Sequence, residues 1–406
     1  QVLLGDNALL HMPRILRELD YKLYYYGLRY YADPFDVNLA DGFHVSGGRL
    51  DLAQRPVALV RPVWGEATAF FLASIGDRIV SRLQYLAGTR SLSDEVDGFD
   101  GKRAADFDRQ RRKQFSKVLR NAPEPFYAQL HLLATHGPQF SPWKRRFSEE
   151  LEPPMSAPAA WDEHAPDMAA EGSWDAEAYR ENAIAERDDM IHLFDDYVRE
   201  VFGILEERSI ADNTIVVVTT DHTNTHNVNR RICLLFYFPE GEHAGTLKEN
   251  AQLLDVAPTL LSFLGTEPPA WMSGQSLIGG ELEPARPLFS NLINRTRSKK
   301  AYRQDAGLIR GIIAPPFFEI DRVNAIVGQT FWQLRPATGE IYYEVIPGHT
   351  APLPEEKIPS PEEIRALLQA HAERHDLDYA EADSPPKPFP RKKGTKTPRT
   401  AGEPPS

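Results

Sequence analysis

Cysteine is almost missing: Cys233 is the only one in 406 residues, so the chain can build neither a disulfide framework nor a thiolate metal cage. No run of apolar residues approaches the length that a membrane-crossing helix needs, which sets aside a membrane-spanning reading of these residues. Positive charge is outweighed, with 46 Lys and Arg against 58 Asp and Glu for a formal net charge of -12. That balance argues against a nucleic-acid partner, which would call for a basic face. There is no internal repeat. The chain opens on Gln1 with no basic-then-apolar leader behind it, and the expectation is that its natural beginning lies upstream. What remains is a chain that is 42% apolar, enough for one large α/β core.

The most informative stretch is NTIVVVTTDHTNTHNVNRRICLLFYFP, residues 213–239, which reads as strand, polar loop, strand. Ile215 to Val218 and Ile232 to Phe238 are short apolar runs of the kind buried on both faces of a parallel sheet. Between them, Asp221, His222, His226, Arg230 and Arg231 gather where the first strand ends, and in open α/β sheets that end is where ligands bind. Adjacent Asp221 and His222 can offer a carboxylate oxygen and an imidazole nitrogen to one divalent cation such as Zn, Mn or Mg, although Asp-His as a bare dipeptide is common. In PFYAQLHLLATHGPQFSP, residues 125–142, an apolar strand from Phe126 to Leu133 precedes Thr135-His136-Gly137-Pro138. Gly-Pro holds the backbone out of a helix and lets the His136 ring be aimed at the sheet rim. The alternative is that it caps the strand or packs on Phe140. His131 lies within the strand and reads as packing.

These residues resemble the sulfatase-like branch of the alkaline phosphatase superfamily. The matching segments are Asn213-Thr214, Thr220-Asp221-His222-Thr223, Arg231-Ile232-Cys233, Pro239-Glu240-Gly241 and the His136 turn. Asp255 with Pro258-Thr259-Leu260, followed by Gly274-Gln275-Ser276-Leu277, completes the set. Thr223 stands where the family has Gly, and Cys233 where it has Pro. The resemblance implies an α/β, alkaline phosphatase-like sandwich: a mostly parallel central sheet flanked by helices, plus a small C-terminal antiparallel sheet. It implies metal ligation by Asp221 and His222, contact of His136 and His226 with the reacting group, and substrate binding by His136 and Arg231. A divalent cation (Ca, Zn or Mn) and a small anionic sulfate or phosphate ester follow. Residues 9–27 resemble the helix and strand just downstream of the family's nucleophile, and no Cys-x-Pro-x-Arg segment is present. Nucleophile and first metal ligand are therefore expected before residue 1, and residues 1–406 alone are expected to be inactive. Two alternatives stand beside ester hydrolysis. One is a phosphoethanolamine- or phosphoglycerol-type transferase anchored in the membrane by an upstream region; the other is a catalytically inactive binding protein. Relatives imply an extracytoplasmic or membrane-anchored parent, with this part of it soluble.

The expected organisation is an α/β region at 1–290, a C-terminal subdomain at 291–380 and a disordered basic Pro/Lys-rich tail at 381–406. Residues 66–87 predict a helix whose Phe70-Phe71 pair belongs to the core. Residues 88–112 predict a charged surface excursion without chemistry, and 143–177 a Pro-rich surface loop. A long sheet-covering helix is expected over 176–207, with Asp188, Asp189, Asp195 and Asp196 on its solvated face.

Overall fold

The structure is a computed structural model. It describes residues 5–28, 32–39, 41–47, 49–50, 54–87, 101–136, 140–151, 176–222, 231–293, 320–346, 353–354, 357–375, 377, 379–380 and 384–389. Two compact units emerge: residues 1–226 with 234–243, and residues 227–233 with 244–406.

In the first unit, α1 (Met12–Glu18) starts where His11 Nδ1 accepts the Arg14 N–H and Pro13 fills the first turn. It leads into β1 (Lys22–Tyr26), the middle of a four-stranded sheet with β2 (Val45–Ser46) and β3 (Arg49–Leu50) on one side. The long α2 (Gln54–Leu86) is broken at Gly65, whose φ of 79° only glycine adopts at no cost. Helix α3 (Gly101–Asn121) then leads to β4 (Phe126–Leu130), which pairs with the other side of β1. β1 runs parallel to both β2 and β4. α4 (Ala176–Glu207) spans the range its periodicity predicts. Tyr26, Phe115, Leu119, Tyr197 and Ile204 form the core between this sheet and α3 and α4.

The first unit corrects four expectations. β5 (Val216–Thr219) and β6 (Leu234–Tyr237) pair antiparallel as a two-stranded sheet of their own. Among the described residues no further strand pairs with them, and Leu235 is 60% exposed. The apolar stripe of α2 is not core, since Phe71 and Leu83 are 61% and 59% exposed while Ala69 is buried. The charged stretch before 112 is not a surface excursion from 101 onward, because α3 begins there. Finally, Asp189 is buried, not on the solvated face of α4. Its carboxylate accepts the Arg146, Phe147 and Ser148 N–H groups and the Ser148 hydroxyl, so it folds the 145–148 segment onto the helix.

His44 brackets the start of the central strand: its Nδ1 accepts the Leu23 N–H at 3.1 Å, and its own N–H donates to the Leu23 carbonyl. Burial first, then the charges of Arg17 and Lys22, push its imidazole down to about 4. A histidine held neutral in the fold, with an unfolded value of about 6.5, stabilises above that value. The contribution is lost as pH falls toward 4. We expect the urea midpoint to drop between pH 7 and pH 5, and to drop less in His44→Asn, whose amide oxygen keeps the acceptor but takes no proton. Equal drops in the two proteins would count against this site.

The second unit is built on a five-stranded sheet. The helix α5 (Val256–Phe263) precedes β7 (Leu288–Ile293), β8 (Ile320–Val327), β9 (Thr330–Arg335) and β10 (Glu340–Val345), which pair antiparallel in sequence order. α6 (Pro361–Arg374) opens with a Ser360 and Glu363 capping box. It lays Ile364, Leu368 and Ala372 on Val323, Ala325, Trp332, Leu334 and Ile341. The tail starts with order that its composition does not predict: β11 (Lys387–Pro388) pairs parallel with β10, and Lys387 Nζ lies 3.0 Å from Glu340 Oε1. The remainder of the tail, the 152–175 part of the Pro-rich loop and residues 88–100 lie outside the described residues. Asp255 makes no side-chain bond as N-cap of α5, but in the 3-10 turn just before it (Leu253–Asp255) it completes a capping box with Gln252. Its buried carboxylate also accepts the Gln275 N–H and meets Arg286, which ties α5 to the segment ahead of β7. No helix among the described residues is long and apolar enough to cross a membrane.

Candidate active site

Three segments of the first unit deliver ionisable side chains to one place. β5 ends at Thr219, and Asp221 and His222 follow within the bend it opens, Thr220 Oγ1 donating to the His222 carbonyl at 3.2 Å. β4 ends at Leu130 and is followed at once by His131, whose N–H donates to the Tyr26 carbonyl of β1. Five residues on, His136 sits in a turn closed by its own N–H donating to the Leu133 carbonyl at 2.8 Å. The His136 and His222 rings meet edge to face with centroids 5.5 Å apart. Thus the His136 turn and the Asp221-His222 pair, some 85 positions apart in sequence, are brought together.

Asp221 Oδ1 accepts the His222 N–H at 3.0 Å, and Oδ2 lies 3.5 Å from His222 Nε2. The carboxylate is well exposed, with 58% of its side-chain surface open, against 30% for His222. His131 stands in the field of all three partners. Burial lowers its pKa first, Asp221 pulls it back up, and His222 and His136 push it down. The net effect is to lower it. Tyr25 is buried and its hydroxyl is raised far above the ordinary value, by burial first, then by Asp33, Tyr127 and Asp221. Asp221 therefore acts through its charge on a residue of the central strand, and His131 and His136 follow the end of β4 in the parallel sheet.

The Sulfatase family model matches residues 11–266, well over half of the chain. The chain belongs to the sulfatase family. Among solved structures, a putative sulfatase from Bacteroides thetaiotaomicron superposes with a TM-score of 0.51 at 15% identity, over 94% of this chain and 80% of that one. That likeness speaks to the fold. A multifunctional alkaline phosphatase superfamily protein, PehA, from Trinickia caryophylli is 31% identical over 103 residues, 22% of this chain and 20% of that protein. A 2,3-bisphosphoglycerate-independent phosphoglycerate mutase from Haloquadratum walsbyi is 35% identical over 75 residues, 16% of this chain and 15% of that enzyme. The chain thus matches a fifth or less of the length of these curated relatives.

In this sulfatase-family chain the His136 ring meets the His222 ring, and Asp221 stands beside His222. Arg231 is described and exposed, and falls in the second unit. His226 and Thr223 lie outside the described residues. Two residues of the site neighbourhood escaped the sequence reading. His131 looked like packing because it continues an apolar run, yet β4 stops at Leu130 and leaves it at the strand's end. Asp108, in the stretch credited with no chemistry, is 2% exposed and accepts the Leu133 and Ala134 N–H groups ahead of His136.

Proposed function

We propose that this sulfatase-family protein hydrolyses small sulfate or phosphate esters with the help of a divalent cation. Asp221 and His222 would hold the cation, and His136 would contact the anionic group or the leaving oxygen. The observation that carries this is the Asp221-His222 pair beyond β5 with His136 against it. The separation of 3.5 Å between Asp221 Oδ2 and His222 Nε2 is close to the ~3.4 Å expected of two ligands on a tetrahedral ion with ~2.1 Å bonds. Carboxylate and imidazole suit a hard-to-borderline cation. Among the described residues no group of three His, Cys, Asp or Glu stands together as a complete cage, so the pair fits two positions of a shell. When bound, such a cation polarises the ester oxygens and supplies positive charge where the transition state gathers negative charge.

The chain's own groups then divide the work. His136, on a backbone fixed by its turn, presents a ring N–H to the ester's oxygens and can pass a proton to the departing alkoxide. The family pattern assigns His226 to the anionic group or the leaving oxygen.

The test uses protein expressed from the complete reading frame, stripped with chelator and assayed on aryl sulfate, aryl phosphate and phosphonate monoesters with Ca, Zn or Mn. Turnover that returns with one of these ions supports the reading, and product analysis with an added alcohol separates hydrolysis from transfer. Turnover indifferent to chelation would sink the metal assignment. Folded protein without turnover on any ester under any ion would sink the enzymatic one.

A further inference from the structure

Helix α3 grips the segment that carries His136. Asp108 stands on the inner face of α3, 2% exposed. Its Oδ1 accepts the Leu133 N–H at 2.9 Å, and its Oδ2 accepts the Leu133 and Ala134 N–H groups at 3.0 and 2.6 Å. Those two residues are where the chain leaves β4, and the Leu133 carbonyl is the acceptor that closes the His136 turn. One helical turn further along α3, the Arg112 guanidinium lies 5.4 Å from the Trp143 ring and 4.3 Å from that of Tyr197, while Arg109 lies 5.1 Å from Trp143. Helix α3 therefore fastens the 133–143 segment at both ends, and His136 lies between.

Resting on the reading of His136 as a group that meets the ester, we propose that Asp108 is a positioning residue that sets the backbone, and through it the ring, of His136. A buried carboxylate is a costly way to satisfy two backbone N–H groups, which water or a neutral side chain could satisfy at a lower cost. Burial drives the acid up to about 7 against the pull of those N–H groups and of Arg112. What a carboxylate adds over a neutral acceptor is a rigid two-oxygen fork with charge-assisted bonds. It fixes two successive N–H groups at once, and with them the direction in which the next residues leave.

The experiment is Asp108→Asn, alone and combined with His136→Ala, in protein from the complete reading frame. Asn offers one acceptor oxygen and turns an amide N–H₂ toward the second backbone donor. A misplaced group costs about 10- to 100-fold in rate, so kcat on whichever ester the parent turns over should fall by that factor, with KM changing less. In the His136→Ala background the same substitution should cost less than about 2-fold, because residues acting as a unit are non-additive. A full multiplicative loss there would overturn the proposal and leave Asp108 as a packing residue. Independently of turnover, the His136 imidazole signal, assigned by its loss in His136→Ala, should move in the NMR spectrum of Asp108→Asn. The His371 signal, from the second unit, should stay in place. An unmoved His136 signal would also overturn the proposal. Absence of turnover in the parent would count against the ester reading alone, and the NMR arm would still decide the role of Asp108. Should Asp108→Asn fail to fold by circular dichroism, Asp108→Glu, which keeps the charge and shifts the fork by one methylene, carries the same two readouts.

Discussion

If Asp221 holds a cation as proposed, Asp221→Asn is expected to lower kcat/KM on the responsive ester by about 10³-fold, equivalent to ~4 kcal/mol of transition-state stabilisation, and to leave the purified protein without that cation. The substitution keeps the shape of the side chain and one oxygen, so the His222 N–H bond to Oδ1 at 3.0 Å can persist. What it removes is the negative charge, and a neutral amide oxygen is a far weaker ligand for a divalent ion. Loss of a polarising ion from an ester site costs several kcal/mol. The variant should fold normally. Asp221 is 58% exposed, and exposed substitutions away from packed or capped positions change stability by no more than about 0.5 kcal/mol. Metal content by elemental analysis, a thermal melt and kcat/KM on the same preparation check the three expectations together. Full metal occupancy with activity within tenfold of the parent would remove Asp221 from the ligand set. An intact melt separates that outcome from simple unfolding.

The parts of the site that were legible in sequence are those in which local chemistry and local structure point the same way. Ile215 to Val218 announce a strand, and a polar loop rich in ionisable residues at its end can only be a rim. Pairing partners were not legible. The apolar runs at 215–218 and 232–238 fit a doubly covered parallel strand, but composition cannot say that β5 and β6 have only each other, and their ladder is antiparallel. The α2 stripe was misjudged for a related reason. Periodicity shows that Phe71, Ile75, Ile79 and Leu83 share a face, not that anything covers it, and they are exposed.

Asp108 was missed for the opposite reason. The buried or part-buried face of α3 is Ala105, Asp108, Arg112, Phe115 and Leu119, a spacing of three and four that marks a packed helical seam. Two of the five are charged, so a search for apolar periodicity passes over it. Arg112 is admitted because its guanidinium lies against Trp143 and Tyr197 and within 3.7 Å of Glu200, and Asp108 because two backbone N–H groups meet it. Reading charge as a mark of surface hides the carboxylates that organise backbone, and Asp189 on α4 was hidden in the same way.

A third such carboxylate carries the largest expected effect on stability. Asp255 is fully buried, and Arg286 meets it side by side, Nη1 to Oδ1 at 2.9 Å and Nη2 to Oδ2 at 2.7 Å. The Gln252 and Gln275 N–H groups donate to it at 2.9 Å each. Gly274, just before Gln275, is needed for this approach, because a Cβ there would stand 1.9 Å from the Leu254 carbonyl oxygen. The Asp-x-x-Pro-Thr helix and the Gly-x-Ser-Leu turn are thus two halves of one carboxylate site. Asp255→Ala leaves the Arg286 guanidinium, 14% exposed, without its counter-charge, and breaking one half of a buried pair costs about 3–5 kcal/mol. Arg286→Met leaves the carboxylate with two N–H partners and should cost less. The double variant should be less destabilised than the sum of the two, since no lone charge is left buried, but it should not reach the parent, because the Gln252 and Gln275 N–H groups lose their acceptor. Urea unfolding of the four proteins, followed by the fluorescence of Trp332 in variants whose other five tryptophans are replaced by Phe, gives the coupling directly. Strict additivity would mean that Asp255 and Arg286 act separately, and that the two motifs are held together by packing, not by the ion pair.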